Sequence, residues 1–254
     1  MKMRLLAIDT TSEYGGVAVY DQEECLASAL NTEPSSRYAV TLFEMADRAL
    51  AEAGMGFPDI DLYAVSNGPG SFTGIRVGLA AAQGWARAFR RPAKGVNLLE
   101  AMVEHAHPEA DWAVPVLDAR RGEFFAGFYR RTADAAGTQA GFEATGPGQL
   151  VRPERLRTLL EALSLGGQCR TFRGGTIAVL TRGHDQKARS LRESLPQDLL
   201  WSEVPGALLE AIAGVAVRAH EQGGKPSSDE LDACYIRRSD AEMNWQAPAA
   251  KTGK

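Results

Sequence analysis

Short apolar runs and helical patterns alternate along the first part of the chain. Leu5 to Ile8 is an apolar run that ends at Asp9, and a second run, Val17 to Tyr20, follows a polar turn. Two such runs around a turn predict a strand, a turn and a returning strand. Between Ser36 and Ala53 apolar residues recur at helical spacing, which predicts an amphipathic helix.

A glycine-rich loop follows the next apolar run, Leu62 to Ser66, and leads into the small-residue stretch Ile75 to Phe89. The predicted order is strand, glycine loop, helix. Helix N-termini of this kind favour anions, because their first backbone N–H groups are free. The loop consists of Asn67, Gly68, Pro69, Gly70, Ser71, Phe72, Thr73 and Gly74.

The second half of the chain repeats the opening pattern. The run Ala113 to Leu117 ends at Asp118, and Phe124 to Tyr129 follows as a returning strand. Two matching strand, turn, strand units indicate duplicated lobes. The pattern also predicts helices over Leu98 to His105, Arg152 to Leu163 and Ala207 to His220, and loops with one edge strand over Arg130 to Leu150.

Length and composition fit a globular protein of two lobes. The 254 residues are 44% hydrophobic and 24% charged, so each lobe can bury a core. We expect lobes over residues 1–108 and 109–244, a last helix, 207–220, that packs back on the first lobe, and a flexible tail over 245–254. The formal net charge of -4 is too acidic to hold RNA phosphates unaided.

The cysteines and the N-terminal run favour a cytoplasmic protein. Cys25, Cys169 and Cys234 are odd in number and contain no CxxC pair, which disfavours a disulfide framework and a zinc site. The apolar run from Leu5 meets Asp9 too early for a signal peptide or a membrane span. We therefore expect the reducing cytoplasm and no membrane contact.

Four segments, in order along the chain, resemble the TsaB (YeaZ) family. The longest runs from Ser66 to Gly78 and continues to Gly84. The others are Leu5 to Thr10, Val116 to Glu123 and Cys234 to Arg238, so the resemblance spans nearly the whole chain. It implies the α/β fold of actin, sugar kinases and Hsp70 (ASKHA), with two ribonuclease-H-like lobes.

The resemblance also implies a function. It is that of a non-catalytic scaffold and activating subunit in the formation of threonylcarbamoyl-adenosine on tRNA, at the adenosine beside the anticodon. The implied partners are the catalytic paralogue TsaD and the ATPase TsaE, with a homodimer when the partner is absent. tRNA is then contacted only through the complex, no cofactor is bound tightly, and the partner interface is the candidate place for ATP or ADP.

One position departs from the family pattern. Tyr38 stands where many members carry a histidine, so a role that depends on that imidazole is in doubt here. Because the position lies in a predicted helix, we expect Tyr38→His to cost little stability.

Asp9 and Asp118 end their strands where related ATPases hold phosphate and magnesium. No glycine directly follows either aspartate, which favours carboxylates that cap turns over carboxylates that handle nucleotide. Nucleotide contact shared with a partner stays open. The candidate nucleotide or phosphate residues are Asp9, Thr10, Thr11, Asp118 and Arg120.

The glycine loop allows a phosphate cradle or a purely structural turn. It lacks the Lys-Ser/Thr ending of a P-loop, while Ser71 or Thr73 is suited to cap the following helix. Gly70 and Gly74 would then serve tight backbone geometry, and this structural interpretation is the one the sequence favours.

No other pattern of catalytic residues stands out. His105, His107, His184 and His220 lack metal-binding spacing, and Ser71 is not in a Gly-x-Ser-x-Gly elbow. We therefore expect no bound metal and no catalytic residue. The alternative function is an autonomous enzyme of the same fold, either an ATP-dependent kinase or a glycoprotease-type peptidase. The clusters Arg120–Arg121 and Arg130–Arg131 leave direct RNA contact open.

The helix that follows the glycine loop is apolar on two opposed faces. The face with Ile75 and Leu79 fits a core, while the opposite face carries small residues over which a second helix can pack closely. A helix of this kind is either buried inside its lobe or covered by another molecule, and the arginines between the two faces favour a partner, joined by the helix 36–53. The predicted interface residues are Tyr38, Leu42, Met45, Val77, Ala81, Gly84 and Ala88.

Overall fold

The protein is an α/β molecule built on two sheets. The structure, a computed structural model, describes residues 3–31, 34, 37–133, 139–164, 175–223 and 231–236. The predicted tail over 245–254 and Cys169 lie outside these residues. None of the helices in the described ranges is long and apolar enough to cross a membrane.

The first sheet contains β1 (Arg4–Asp9), β2 (Gly16–Asp21), β3 (Glu24–Leu30), β4 (Leu62–Gly68) and β5 (Ala93–Asn97). Its strand order is β3-β2-β1-β4-β5. β1, β2 and β3 pair antiparallel, whereas β4 and β5 continue the sheet parallel to β1. The predicted opening hairpin is therefore the start of a mixed sheet.

Three helices accompany this sheet: α1 (Tyr38–Glu52), α2 (Phe72–Phe89) and α3 (Leu98–Ala106). α1 and α2 bury their apolar stripes in one core with residues of β1 and β4. Ser71 caps the start of α2, because its side chain accepts a hydrogen bond from the N–H of Gly74. Capping by a serine stabilises a helix start by about 1 kcal/mol.

The second sheet contains β6 (Trp112–Asp118), β7 (Phe124–Ala126), β8 (Tyr129–Ala133), β9 (Gln139–Ala144), β10 (Gln149–Val151), β11 (Ile177–Arg182) and β12 (Leu200–Val204). Its main order, β10-β7-β6-β11-β12, repeats that of the first sheet, with the same antiparallel and parallel pairings. α4 (Pro153–Ser164) and α5 (Gln186–Ser190) belong to this half. The repeated topology confirms the duplicated lobes.

The stretch expected to hold loops and one edge strand, Arg130 to Leu150, instead contributes to three strands, β8, β9 and β10. The expected strand Phe124 to Tyr129 is also divided between β7 and β8. The division lies opposite Pro115 of β6, whose carbonyl accepts from the N–H of Gly127. Proline has no N–H to return that bond, so the antiparallel ladder is interrupted there.

The final described helix, α6 (Leu209–Glu221), packs mainly on the first sheet, although it follows the second sheet in sequence. Its apolar residues share one core with β1, β4 and α3 and with Ala178 and Leu180 of β11. That core therefore connects the two halves. The domain boundaries at residues 108 and 244 stay a prediction.

Candidate functional site

The residues after β1 form a tight turn around the carboxylate of Asp9, which is fully buried. Asp9 Oδ1 accepts hydrogen bonds from the backbone N and from Oγ1 of Thr11, at 3.0 and 2.5 Å. This is a carboxylate that caps its own turn. Oγ1 of Thr10 donates to the carbonyl of Gly74 at 2.8 Å, so this hydroxyl faces α2.

The other oxygen of Asp9 binds a guanidinium from the second sheet. Arg182, the last residue of β11, places Nη2 2.6 Å from Asp9 Oδ2 and Nη1 3.1 Å from Thr11 Oγ1. The N–H of Leu208 donates to the same carboxylate oxygen at 3.3 Å. Both charged side chains are buried, Arg182 at 5% exposure and Asp9 at 0%.

The glycine loop lies directly on this turn. The N–H of Ser71 donates to the carbonyl of Thr11 at 2.8 Å. A Cβ on Gly70 would lie 2.6 Å from that same carbonyl oxygen, and a Cβ on Gly74 only 1.9 Å from the carbonyl oxygen of Thr10. These glycines therefore let two backbone segments touch, which gives the loop a packing role.

The rest of the loop faces a segment near the described end of the chain. The backbone turns at Gly68, with φ of 109°, and a cis peptide joins it to Pro69. The ring of Phe72 carries the Arg76 guanidinium 3.8 Å from its centre and packs beside Tyr235. Thr73 is exposed.

Asp118 caps a turn of its own in the second half. Its Oδ1 accepts from the N–H of Arg120 at 2.8 Å, and its Oδ2 lies 3.7 Å from Lys187 Nζ. Arg120 is exposed and has a positive φ of 64°. The two aspartates thus form ion pairs with different cations, Asp9 with Arg182 and Asp118 with Lys187.

The expectation that Tyr38 only fills a helix position is wrong. The side chain is 2% exposed, and its hydroxyl donates to the carbonyl of Ser12 at 2.8 Å and accepts from the N–H of Gly15 at 2.7 Å. Burial, with the nearby Asp9 carboxylate, raises the pKa of Tyr38 to about 12. The phenol is therefore a structural link between α1 and the turn after β1.

The predicted partner face is partly core. Tyr38, Leu42, Met45 and Ala81 are buried among the apolar residues between the helices and the first sheet. The prediction that these four residues form a partner interface is therefore wrong, because α1 and α2 use them to pack on their own sheet. The helical period alone does not tell which apolar face meets the core.

The remaining predicted interface residues do reach the surface. Gly84 and Ala88 are exposed on α2, and Val77 is partly exposed. On neighbouring α1, Val40 and Phe43 are 69% and 57% exposed, although the sequence prediction did not include them. We call these five residues the α1/α2 apolar face.

His184 and Arg131 are held by aromatic and backbone contacts. Across the described ranges, no group of three or more His, Cys, Asp or Glu side chains is placed to hold a metal ion. The ring of His184 stacks on Tyr14 with centroids 3.6 Å apart. Arg131 donates to the carbonyl of Ala110 at 2.7 Å and lies over the ring of Phe142.

Sequence reasoning missed Arg182 as a site residue. A signal was present, because Arg182 follows the apolar run Ile177 to Leu180 closely, as Asp9 and Asp118 follow theirs. Its partner could not be read from the sequence, since the two residues of the pair are 173 positions apart.

The duplicated mixed sheets, each with a carboxylate at the end of its central strand, define a class of protein. Two solved structures from Pseudomonas aeruginosa share the fold: a protein with similarity to the peptidase YeaZ, and YeaZ itself. They are 24% and 23% identical, with TM-scores of 0.71 and 0.70, and cover 92% of this chain and 100% and 99% of their own. The class is the α/β fold of actin, sugar kinases and Hsp70.

Sequence relatives narrow this class to one family. A family model for TsaD, described as tRNA N6-adenosine threonylcarbamoyltransferase, matches residues 32–158, which is half of the chain. The tRNA threonylcarbamoyladenosine biosynthesis protein TsaB of Escherichia coli is 33% identical over 165 residues, 64% of this chain and 68% of that protein. The chain belongs to the TsaB family.

The matched length differs between relatives. The TsaB protein of Haemophilus influenzae is 34% identical over 125 residues, 48% of this chain and 52% of that protein. For Bacillus subtilis TsaB the identity is 29% and the match covers 56% of that protein. The chain therefore spans about half the length of these two relatives.

Proposed function

We propose that this protein takes part in the biosynthesis of threonylcarbamoyl-adenosine on tRNA, as a non-catalytic scaffold and activating subunit. The observation that carries the proposal is membership of the TsaB family, through a relative with 33% identity over 68% of its length that is named for this pathway. The proposed substrate position is the tRNA adenosine beside the anticodon, which the protein reaches only within a complex.

The hydrogen bonds of the Asp9 carboxylate support a protein that performs no catalysis itself. An ASKHA kinase needs a carboxylate at this strand end to face magnesium and phosphate. Here both oxygens of Asp9 accept hydrogen bonds from the chain itself, from Thr11, Arg182 and Leu208. We therefore prefer a subunit role to an autonomous kinase or peptidase.

The proposed main partner is a TsaD-like catalytic paralogue, with a TsaE-like ATPase as third component. The α1/α2 apolar face is the surface we assign to the paralogue, since it combines exposed Val40 and Phe43 of α1 with the small exposed residues Gly84 and Ala88 of α2, and the two helices touch through Phe43 and Trp85. Small residues let a partner helix approach closely. A second copy of this chain would occupy the same face when the paralogue is absent, and ATP or ADP would bind at the partner interface.

A reconstituted modification assay tests this function. The chain is mixed with the TsaD-like and TsaE-like proteins of the same genome, and modified adenosine in tRNA is measured by mass spectrometry. We expect modification to require this chain, while the chain alone hydrolyses neither ATP nor peptides at enzymatic rates. Modification that proceeds equally well without the chain, or hydrolysis by the chain alone, would overturn the proposal.

The Gly84→Arg variant tests the assigned surface. A Cβ at Gly84 meets no atom within 4 Å, so the variant should fold, yet a long charged side chain would block a partner helix. We expect a melting temperature at least as high as that of the native protein, since arginine forms helix better than glycine, and loss of both co-purification with the TsaD-like protein and tRNA modification. Ala162→Arg, at an exposed position of α4, is the control and should pair normally. Normal pairing of Gly84→Arg would place the interface elsewhere.

A further inference from the structure

The two halves of the molecule are joined through a buried charge pair. Asp9 ends β1 of the first sheet, and Arg182 ends β11 of the second. Their side chains meet at 2.6 Å with almost no solvent exposure. We name the set Asp9, Thr11, Arg182 and Leu208 the inter-sheet latch.

The carboxylate at the centre of the inter-sheet latch is saturated. An ionised carboxylate offers about four lone-pair sites. Thr11 donates twice to Oδ1, while Arg182 and the N–H of Leu208 donate to Oδ2. Two of these four donors come from segments beyond the first sheet, so the carboxylate binds the parts of the molecule to each other.

Two further contacts line the same boundary. The ring of Tyr14 stacks on His184 at 3.6 Å, and Oγ of Ser12 donates to the carbonyl of Gly206 at 3.3 Å. A Cβ on Gly206 would lie 2.6 Å from the His184 ring and 2.8 Å from Tyr14. The turn after β1 is therefore closely fitted against the strand ends of the second half.

The energetics indicate that this pair fixes geometry more than it adds stability. A buried ion pair costs so much desolvation that an apolar replacement is often neutral or stabilising. Arg182 also leaves its Nε without a hydrogen-bond partner among the described residues, although the side chain is buried. Such a pair is best explained by specificity for one relative position of the two sheets.

The position of the pair is informative as well. In open α/β sheets, ligands bind outside the carboxyl ends of the strands. Asp9 and Arg182 both lie at such ends. There the positively charged guanidinium lies directly beside the carboxylate. No exogenous cation is needed to neutralise Asp9.

We propose that the inter-sheet latch holds the two halves in a single closed arrangement, with Arg182 as a built-in cation at the strand end of Asp9. The protein is then a rigid body, and the two sheets do not move apart around a ligand. This inference rests on the contacts of the inter-sheet latch and is independent of the proposed function.

Hydrogen exchange on a charge-free variant tests the inference. Asp9→Asn combined with Arg182→Met removes both charges, so no buried charge is left unpaired. We expect a folded protein in which amide exchange over residues 9–16 and 204–208 is at least about tenfold faster, with β4 and α4 unchanged. Unchanged exchange in those two segments, or an equal rise everywhere, would overturn the proposal.

Single variants keep the test decisive if the double variant does not fold. Arg182→Lys retains the charge but cannot bind Asp9 and Thr11 together, so it should fold and show a smaller rise in exchange over the same segments. Arg182→Met should lower the melting temperature by about 5 °C or more, since Asp9 is left buried and unpaired. The control is Arg218→Met, which removes an ion pair with Glu104. That pair is also 2.6 Å long, but its arginine is about half exposed, so the variant should leave exchange in these segments unchanged. An Arg182→Lys variant that exchanges like the native protein contradicts the inference.

Discussion

At the residue scale, the Tyr38 hydroxyl determines how the turn after β1 is held. It is the hydrogen-bond partner of both Ser12 and Gly15, and it lies near the Asp9 carboxylate, which contributes to its raised pKa. A Cβ at Gly15 would lie 2.7 Å from this hydroxyl. The turn, the phenol and the carboxylate therefore form one packed unit.

Replacement of Tyr38 should be costly. Tyr38→Phe leaves the carbonyl of Ser12 and the N–H of Gly15 without their buried partner, so we expect a loss of about 1–3 kcal/mol in the free energy of unfolding. Tyr38→His should lose at least as much, because it also removes ring volume from the core. Urea unfolding measures both. Tyr235→Phe, at a 44% exposed side chain, is the control and should change stability by less than about 0.5 kcal/mol.

The raised pKa of Tyr38 predicts an alkaline effect. The folded-state pKa is about 12, while an unfolded tyrosine titrates near pH 10, about its ordinary value. The contribution of the phenol to stability is thus fully present below about pH 10 and is lost as the pH rises toward about 12. The stability difference between the native protein and Tyr38→Phe should shrink over this range. A difference that stays constant up to pH 12 would contradict the assignment.

At the element scale, α2 contains glycines with opposite roles. Gly74 lies against the turn after β1, where a Cβ would meet the Thr10 carbonyl oxygen at 1.9 Å. Gly84 faces open space on the outer side of the helix. The same residue type therefore permits a close contact at one end and only weakens the helix at the other.

These two glycines form a matched pair for mutation. Gly74→Ala should destabilise the protein by about 1–3 kcal/mol, because backbone atoms must move to admit the methyl group. Gly84→Ala should stabilise it by about 0.5–1 kcal/mol, the ordinary gain from alanine in an exposed helix. Thermal unfolding of the two variants side by side measures the contrast. Equal effects would show that Gly74 does not lie against Thr10.

At the scale of the whole molecule, one apolar core reaches both sheets. It contains residues of β1 and β4 from the first sheet, of β6 and β11 from the second, and most of the buried face of α6. Because α6 follows the second sheet in sequence but packs on the first, the chain crosses between its halves more than once. Cooperative unfolding is the expected consequence.

Ile212 of α6 tests this connection, since it is fully buried in the shared core. Ile212→Ala should lower the free energy of unfolding by about 2–5 kcal/mol. The protein should still unfold in a single transition at a lower melting temperature, and calorimetry and circular dichroism should give the same transition. Val40→Ala, at a 69% exposed side chain, should change stability by less than about 0.5 kcal/mol. Two separate transitions, with only one moved by Ile212→Ala, would mean that the halves unfold independently.

The sequence by itself determined the elements with strong local patterns. The runs ending at Asp9 and Asp118 form β1 and β6, and the helical spacing placed α1, α2 and α4 within a few residues of their ends. Turn capping by both aspartates was also predictable, because an aspartate bonds to the backbone two residues on. These features depend on neighbours in sequence, which a pattern can represent.

Only the tertiary structure decided which polar groups meet and which apolar face is buried. β3, β5, β11 and β12 carry no distinctive alternation, and they are fixed by their pairing partners across each sheet. Likewise, Leu42 and Ala81 belong to the core because α1 and α2 pack on one face of the first sheet, which leaves Gly84 and Phe43 outside. The pairing of Asp9 with Arg182 joins strand ends of two different sheets. A local sequence pattern does not indicate contacts between segments so far apart along the chain.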